Sequence, residues 1–179
     1  SAQTSYAGQT AYGGSKDDYA ESISPTLDGG FIISGYSLSY TSSYSPFLTK
    51  LDSLGAVEWS KVYGTGYGFA YDAQQTSDGG YIAAGYLDEF SGFNRDYLLI
   101  KTDANGDTTW TRAFGTTGAD YAYAVVQSTD LGYLIGGKSN GTGDDILLVK
   151  TDAAGDTVWT KRYNSASEKC EKIIQTSDG

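Results

Sequence analysis

The feature that most constrains this chain is a unit of about 50 residues that recurs along it. Its clearest copy is Thr76-Ser77-Asp78-Gly79-Gly80-Tyr81-Ile82-Ala83-Ala84-Gly85, followed by Leu98-Leu99-Ile100-Lys101-Thr102-Asp103-Ala104-Asn105-Gly106-Asp107-Thr108-Thr109-Trp110. Trp59, Trp110 and Trp159 stand 51 and 49 residues apart. Asp28, Asp78, Asp130 and Asp178 stand 50, 52 and 48 apart. A fixed period means one supersecondary unit repeated. Such a unit cannot bury its own apolar face, so neighbouring copies must stack.

Each unit holds four short runs rich in β-branched and aromatic residues, separated by Gly, Asn and Asp. The expected strands are 19–25, 31–36, 47–51 and 57–63 in the first unit. In the second they are 69–75, 81–87, 97–102 and 108–114. In the third they are 121–127, 133–138, 146–151 and 157–163. A fourth copy opens at 170–175. Four strands at a period near 50 predict an all-β chain of β-propeller blades, each of four antiparallel strands. The expected organisation is a tail or lone outer strand over 1–14, blades over 15–64, 65–115 and 116–164, and the first strand of an incomplete blade over 165–179. Thr10-Ala11-Tyr12-Gly13-Gly14 loosely echoes Lys61-Val62-Tyr63-Gly64-Thr65, as a fourth-strand end would. Three repeats with partial blades at both ends suit either a section of a longer array or a chain whose open edges pair with another copy.

The turn residues agree. Asp28-Gly29-Gly30 and Asp78-Gly79-Gly80 fall between strands one and two, where a tight hairpin needs positive φ. Asp-x-x-Gly falls between strands three and four, at 52–55, 103–106 and 152–155, with Gly in the left-handed position. A Trp follows four residues later, and a large indole at one fixed place predicts a sheet-to-sheet contact. D-G-G-[YF]-I-x-[SA]-G followed by L-[LT]-x-K-[TL]-D-x-x-G-x-x-x-W resembles the repeat of secreted and cell-surface β-propeller proteins of bacteria and archaea. It is also similar to the quinoprotein-type repeat, in which a Gly turn precedes a docking Trp. The resemblance covers about residues 15–179, and what it implies is a blade, since proteins with this repeat have many roles. Leu131 in place of the first Gly and Asn164 in place of the Gly after strand four depart from the pattern.

Composition bounds the partners. The net charge is -10, from 12 Lys and Arg against 22 Asp and Glu, which repels nucleic acid and anionic membranes. No apolar run approaches the length of a membrane helix. The single Cys170 leaves no internal disulfide, and its alignment with Ala20, Ala70 and Ala122 predicts a small buried inner-strand residue. Ser1-Ala2-Gln3 would suit a chain released after an A-x-A site, so an extracellular or cell-surface location is expected.

Chemistry is sparse. With no His, neither a Ser-His-Asp nor a Cys-His nucleophile can be assembled, nor a His-ligated metal site. Arg95, Arg112 and Arg162 are expected on separate rims, not as one carboxylate clamp. Asp103, Asn105 and Asp107 resemble the start of a calcium loop. The sibling turns lack the middle oxygen, and no bidentate Glu follows, so a plain hairpin turn is favoured. Lys50, Lys101 and Lys150 are read as solvated residues near the acidic turns. The loops between strands two and three vary most, and their face is the one expected to bind. They carry Tyr40, Tyr44, Phe90, Phe93 and Arg95, aromatics among Ser, Gly and Asn that suit sugar stacking, protein contacts or packing over the blade tops. Asn140-Gly141-Thr142 is an N-glycosylation sequon, relevant where the source glycosylates secreted proteins. The function expected is a non-catalytic structural or interaction module, with other copies of itself or further repeats as partner and no cofactor unless calcium. A lectin-like propeller that binds a glycan or cell-surface protein and a section of a larger propeller enzyme are the alternatives.

Overall fold

The computed structural model describes residues 12–88, 95–141, 145–163 and 168–176. Among them there is no helix, and the chain forms three antiparallel sheets of four strands in simple sequence order. The first holds β1 (Asp18–Pro25), β2 (Phe31–Ser37), β3 (Ser45–Leu51) and β4 (Val57–Val62). The second holds β5 (Tyr67–Gln75), β6 (Tyr81–Asp88), β7 (Asp96–Thr102) and β8 (Thr108–Phe114). The third holds β9 (Asp120–Gln127), β10 (Tyr133–Ser139), β11 (Asp145–Thr151) and β12 (Thr157–Tyr163). The twelve strands expected in the three full units are all present, with ends moved by two residues at most, whereas the strand expected at 170–175 does not form.

Two cores lie between sheets, and a smaller third cluster, Ile33, Phe47 and Leu51 with Phe31 and Val62 beside them, belongs to the first sheet alone. Ile32 and Leu48 of the first sheet meet Ala73, Tyr81, Ala83, Leu98 and Ile100 of the second, with Trp59 beside them. Ile82, Ala84, Tyr97 and Leu99 on the opposite face of the second sheet meet Val125, Tyr133, Ile135, Leu147 and Val149 of the third, beside Trp110. A middle sheet covered on both faces buries consecutive side chains, so β7 is buried from Tyr97 to Thr102 without alternation. The Trp contact is as expected. Trp59 meets Tyr81 edge-on at 5.4 Å, and Trp110 meets Tyr133 at 5.7 Å.

The two glycines of Asp-Gly-Gly have different jobs. Gly29 and Gly79 adopt φ +83°, and Leu131 is held at +67° in the same place. A Cβ on the second glycine would lie 2.1 Å from the Leu51 carbonyl at Gly30, from the Thr102 carbonyl at Gly80 and from the Thr151 carbonyl at Gly132. It would also lie 2.5–2.7 Å from the ammonium of Lys50, Lys101 or Lys150. Leu131→Gly relieves the left-handed strain at the cost of a more flexible unfolded chain. It is expected to raise unfolding free energy by about 0.5–1 kcal/mol, read from a shifted denaturant midpoint at constant slope.

The three lysines are not solvated as their charge suggested. Lys50 and Lys101 are 2% and 4% exposed and Lys150 is half-buried. Each ammonium reaches back to the turn Asp of its own sheet, at 2.7 Å to Asp28, 2.8 Å to Asp78 and 2.8 Å to Asp130. Each also donates to the carbonyl of the following residue at 2.8 Å. For Lys50 and Lys101 the aliphatic stem lies on the face that the next sheet covers, while the head finds a fixed acceptor pair; among the described residues no further sheet covers Lys150, which is the least buried of the three.

The N-terminal echo has a physical counterpart, although residues 1–11 lie outside the described ones. Tyr63 donates its hydroxyl to the Gly106 carbonyl at 2.9 Å, and Tyr12 does the same to Gly55 at 2.5 Å. The stretch 168–176, expected as a first strand, forms no ladder, because no strand-two partner stands beside it among the described residues. Cys170 is half-buried as a small packing residue. Its Sγ and Ile173 Cδ1 would lie 2.8 and 2.7 Å from a Cβ on Gly136. The Ser34 hydroxyl, at the position of Ala84 and Gly136, is fully buried with no hydrogen-bond partner. Ser34→Ala is therefore expected to add about 1 kcal/mol of stability by removing an unsatisfied buried hydroxyl. A lower melting temperature would contradict this.

Candidate functional site

The candidate surface is the loop face, where strands two end, strands three begin and the chain passes between sheets. Its aromatic residues form one continuous group. Tyr19 stacks on Tyr36 at 4.8 Å, and Phe69 of the next sheet stacks on Tyr36 at 3.7 Å. Tyr44 stands edge-on to Tyr36, Phe69 and Tyr67 at 5.4–6.2 Å. Tyr86 continues the group from Phe69 at 5.1 Å to Tyr121 of the third sheet at 5.0 Å. Burial pushes the Tyr86 phenol well above its ordinary range.

Tyr44 and Arg95 prove to be equivalent positions, each immediately before or at the approach to strand three. The Tyr44 carbonyl accepts the Gly68 amide of the next sheet at 2.9 Å, and the Arg95 carbonyl accepts that of Asp120 at 2.5 Å. The Arg95 guanidinium lies 5.3–5.7 Å over the rings of Tyr67, Tyr86 and Tyr121 and donates to the Tyr121 hydroxyl at 2.7 Å. Both side chains cover a seam between sheets; packing was one of the roles weighed in sequence for Tyr44, whereas Arg95 was read as a rim cation. Tyr40, at 54% exposed, stands apart from that group. Phe90 and Phe93 lie outside the described residues. Asn140 is exposed with its amide on the Ala119 carbonyl, and Thr142 of its sequon is outside the described residues.

The carboxylates of this face are largely engaged. Asp18 accepts from Gly14 N and Ser39 Oγ at 2.8 Å and from Ser37. Asp120 is fully buried and accepts from Thr116 N at 2.6 Å, while Asp145 takes Arg162 at 2.9 Å. Burial, with Asp120 nearby, raises the Asp96 carboxyl above its ordinary range.

The calcium-like loop is a turn. Asp103 Oδ1 accepts the amides of Asn105 and Asp107 at 2.9 Å, and Asp107 pairs with Lys61 of the preceding sheet at 2.5 Å. Asp52 and Asp152 use Oδ1 in the same way in their own turns, so nothing sets Asp103, Asn105 and Asp107 apart. Among the described residues no group of three metal-capable side chains converges. Of the other rim cations, Arg112 reaches Asp156 at 3.5 Å, again across a seam.

A groove of about 580 Å³ runs along the inner strands, with Glu21, Ile23, Tyr71, Asp72, Tyr123 and Ile174 among its walls. Its polar groups also bridge sheets. Asp72 accepts from Ser22 Oγ at 3.2 Å and from Val125 N at 3.0 Å, and Gln74 donates to the Val125 carbonyl. Gln75 and Gln127 accept the amides of Leu27 and Ser77 from the sheet before, at 2.7 and 2.8 Å. The recurrence of Gln at 75, 127 and 175 was the sequence signal for these clamps.

No family model and no curated protein matches this chain. Among solved structures it is similar to a protein of unknown function from Bacteroides caccae, with a TM-score of 0.48 and 15% identity over 84% of this chain. The chain spans 62% of that protein's length.

Proposed function

We propose that the three sheets are blades of a β-propeller array and that the chain is a non-catalytic structural or interaction module, extracellular or at the cell surface. One observation carries this reading. Several of the residues that sequence offered for binding or chemistry are spent on joining one sheet to the next: Tyr44, Arg95, Asp107 through Lys61, and Arg112 through Asp156. The lectin-like alternative retains Tyr40 as its exposed ring on the loop face. The test is turnover of a panel of ester, glycoside, peptide and phosphate substrates. No turnover is expected. Activity abolished by a single substitution that leaves the fold intact would overturn the reading. A glycan array compared with Tyr40→Ala decides the lectin alternative.

A further inference from the structure

We infer that a cleft between the second and third sheets, on the face of the Asp turns, binds a small carboxylate with an apolar body. The Lys101 ammonium takes the carboxylate, and Trp110, Leu131 and Tyr133 take the body. Two differences between this seam and the one before it point there. The first is at the lysine. Each outer strand carries a bulge beside its Trp, where the pairing shifts between Lys50 and Leu51, Lys101 and Thr102, or Lys150 and Thr151. The residue left out of the ladder is Glu58, Thr109 or Val158. A bulge re-aims a side chain. An ammonium has three N–H donors, and Lys50 places them on Asp28, Glu58 and the Leu51 carbonyl, at 2.7, 2.7 and 2.8 Å. Lys101 has the same turn partner, Asp78 at 2.8 Å, and the same kind of carbonyl, that of Thr102 at 2.8 Å. Thr109 brings no carboxylate, and its hydroxyl donates to the Lys101 carbonyl at 3.1 Å. The donor that Lys50 gives to Glu58 is left, at Lys101, with the second oxygen of Asp78 at 3.1 Å.

Thr109, in the place of Glu58, borders a cleft of about 390 Å³, within the range of small-molecule sites. Lys101, Thr109 and Trp110 form one wall, and Gln127, Leu131 and Tyr133 of the third sheet form the other. The Lys101 side chain is 6% exposed, so an anion that reaches it is shielded from water and is held more firmly than at the surface. The second difference is in the far wall. Leu131 stands where the preceding seam has Gly79, is held at φ +67° and is 53% exposed. Backbone strain of this kind collects at ligand sites, and here it keeps an apolar side chain on the rim of the cleft. Glu58 and Gly79 on one seam have thus become Thr109 and Leu131 on the next, and both changes face the same space.

The local charge balance has a precedent in the chain itself. Asp78 and Asp103 border the cleft together with Lys101, and Asp103 Oδ1 is turned to the amides of its own turn. One added carboxylate gives the set that the first sheet carries in its own residues, Asp28, Asp52 and Glu58 with Lys50. The net charge of -10 does not decide the matter, because at physiological salt charges beyond about 8 Å are screened. A carboxylate is the class of anion expected, since a carboxylate is what the equivalent ammonium holds at 2.7 Å.

The test follows the three Trp indole N–H signals of the isotope-labelled full chain by NMR as benzoate is added, with circular dichroism to verify the fold of each variant. The Trp110 signal is expected to move and to saturate with a midpoint on the order of 1 mM, while the Trp159 signal stays in place. Benzyl alcohol, the same ring without the charge, is expected to leave Trp110 unmoved. Thr109→Glu, at an exposed position, sets a carboxylate beside Lys101 as Glu58 does beside Lys50, and is expected to abolish the response. Thr109→Ser is expected to keep it. Leu131→Gly is expected to weaken benzoate about tenfold even as it stabilises the fold. A Trp110 signal that does not move at roughly 50 mM benzoate overturns the inference. So does an equal response to benzyl alcohol, a shift of all three indoles together, or a response that survives Thr109→Glu. None of these readouts involves turnover, so the inference can fail while the module reading stands.

Discussion

Gly106→Ala is expected to lower the free energy of unfolding by about 2–4 kcal/mol, while Gly79→Ala costs only about 1 kcal/mol. Both glycines have nearly the same backbone, φ +76° and +83°, so the left-handed penalty of a Cβ is shared. The surroundings differ. Nothing lies within 4 Å of a Cβ at Gly79, whereas one at Gly106 meets three Trp59 ring atoms at 2.8–3.0 Å. That ring also packs on Tyr81, so it cannot move without opening the seam. Urea denaturation of the two variants in parallel measures the difference. Equal losses would show that the indole yields easily and that the Trp contact does not hold the sheets in register.

The same comparison shows how much of the structure was legible in sequence. The period, the strands and both turns were readable because each depends on local sequence: a recurring unit, short runs of β-branched and aromatic residues, and turn residues that take a positive φ. The docking role of Trp was readable because a large residue at one fixed place has few other uses. The fates of Lys50, Lys101 and Lys150 were not. The burial of Lys50 and Lys101 depends on the neighbouring sheet arriving over the aliphatic stem, and the placing of all three ammonium groups on the second glycine leaving room for them. Neither shows in the residue type. The same holds for Arg95, a loop cation in sequence and a ring-stacked seam residue in the structure. In a repeat fold a side chain's environment is set by a residue about 50 positions away. The signal is therefore a comparison of copies, as Gln75 and Gln127 illustrate.

Asp78→Ala is expected to cost about 2–3 kcal/mol, and Asp28→Ala clearly less. Removing Asp78 leaves the Lys101 ammonium, on a side chain 6% exposed, with the Thr102 carbonyl as its remaining close acceptor. Breaking a fully buried pair costs about 3–5 kcal/mol; the Asp78 side chain is 61% exposed, so water reaches the site and the figure is reduced. Lys50 is equally buried, but Glu58 holds it at 2.7 Å as well as Asp28, so one anion remains after the substitution. The pH dependence follows from the same contacts. Partial burial works to raise the Asp78 carboxyl, yet hydrogen bonds from Lys101, Thr76 and Gly80 outweigh it and hold the group at about 2. A carboxyl depressed in the native state contributes stability above its unfolded value near 3.9, and that contribution drains away as pH falls toward 2. Asp28 and Asp130 lie below the ordinary range too, through hydrogen bonds from Lys50 and Lys150. Unfolding free energy should therefore fall steeply below about pH 4, and less steeply in Asp78→Ala. Parallel acid titrations of the two proteins by circular dichroism measure the slopes. Identical slopes would mean that the Lys101 ammonium does not depend on Asp78 for its place beneath the neighbouring sheet.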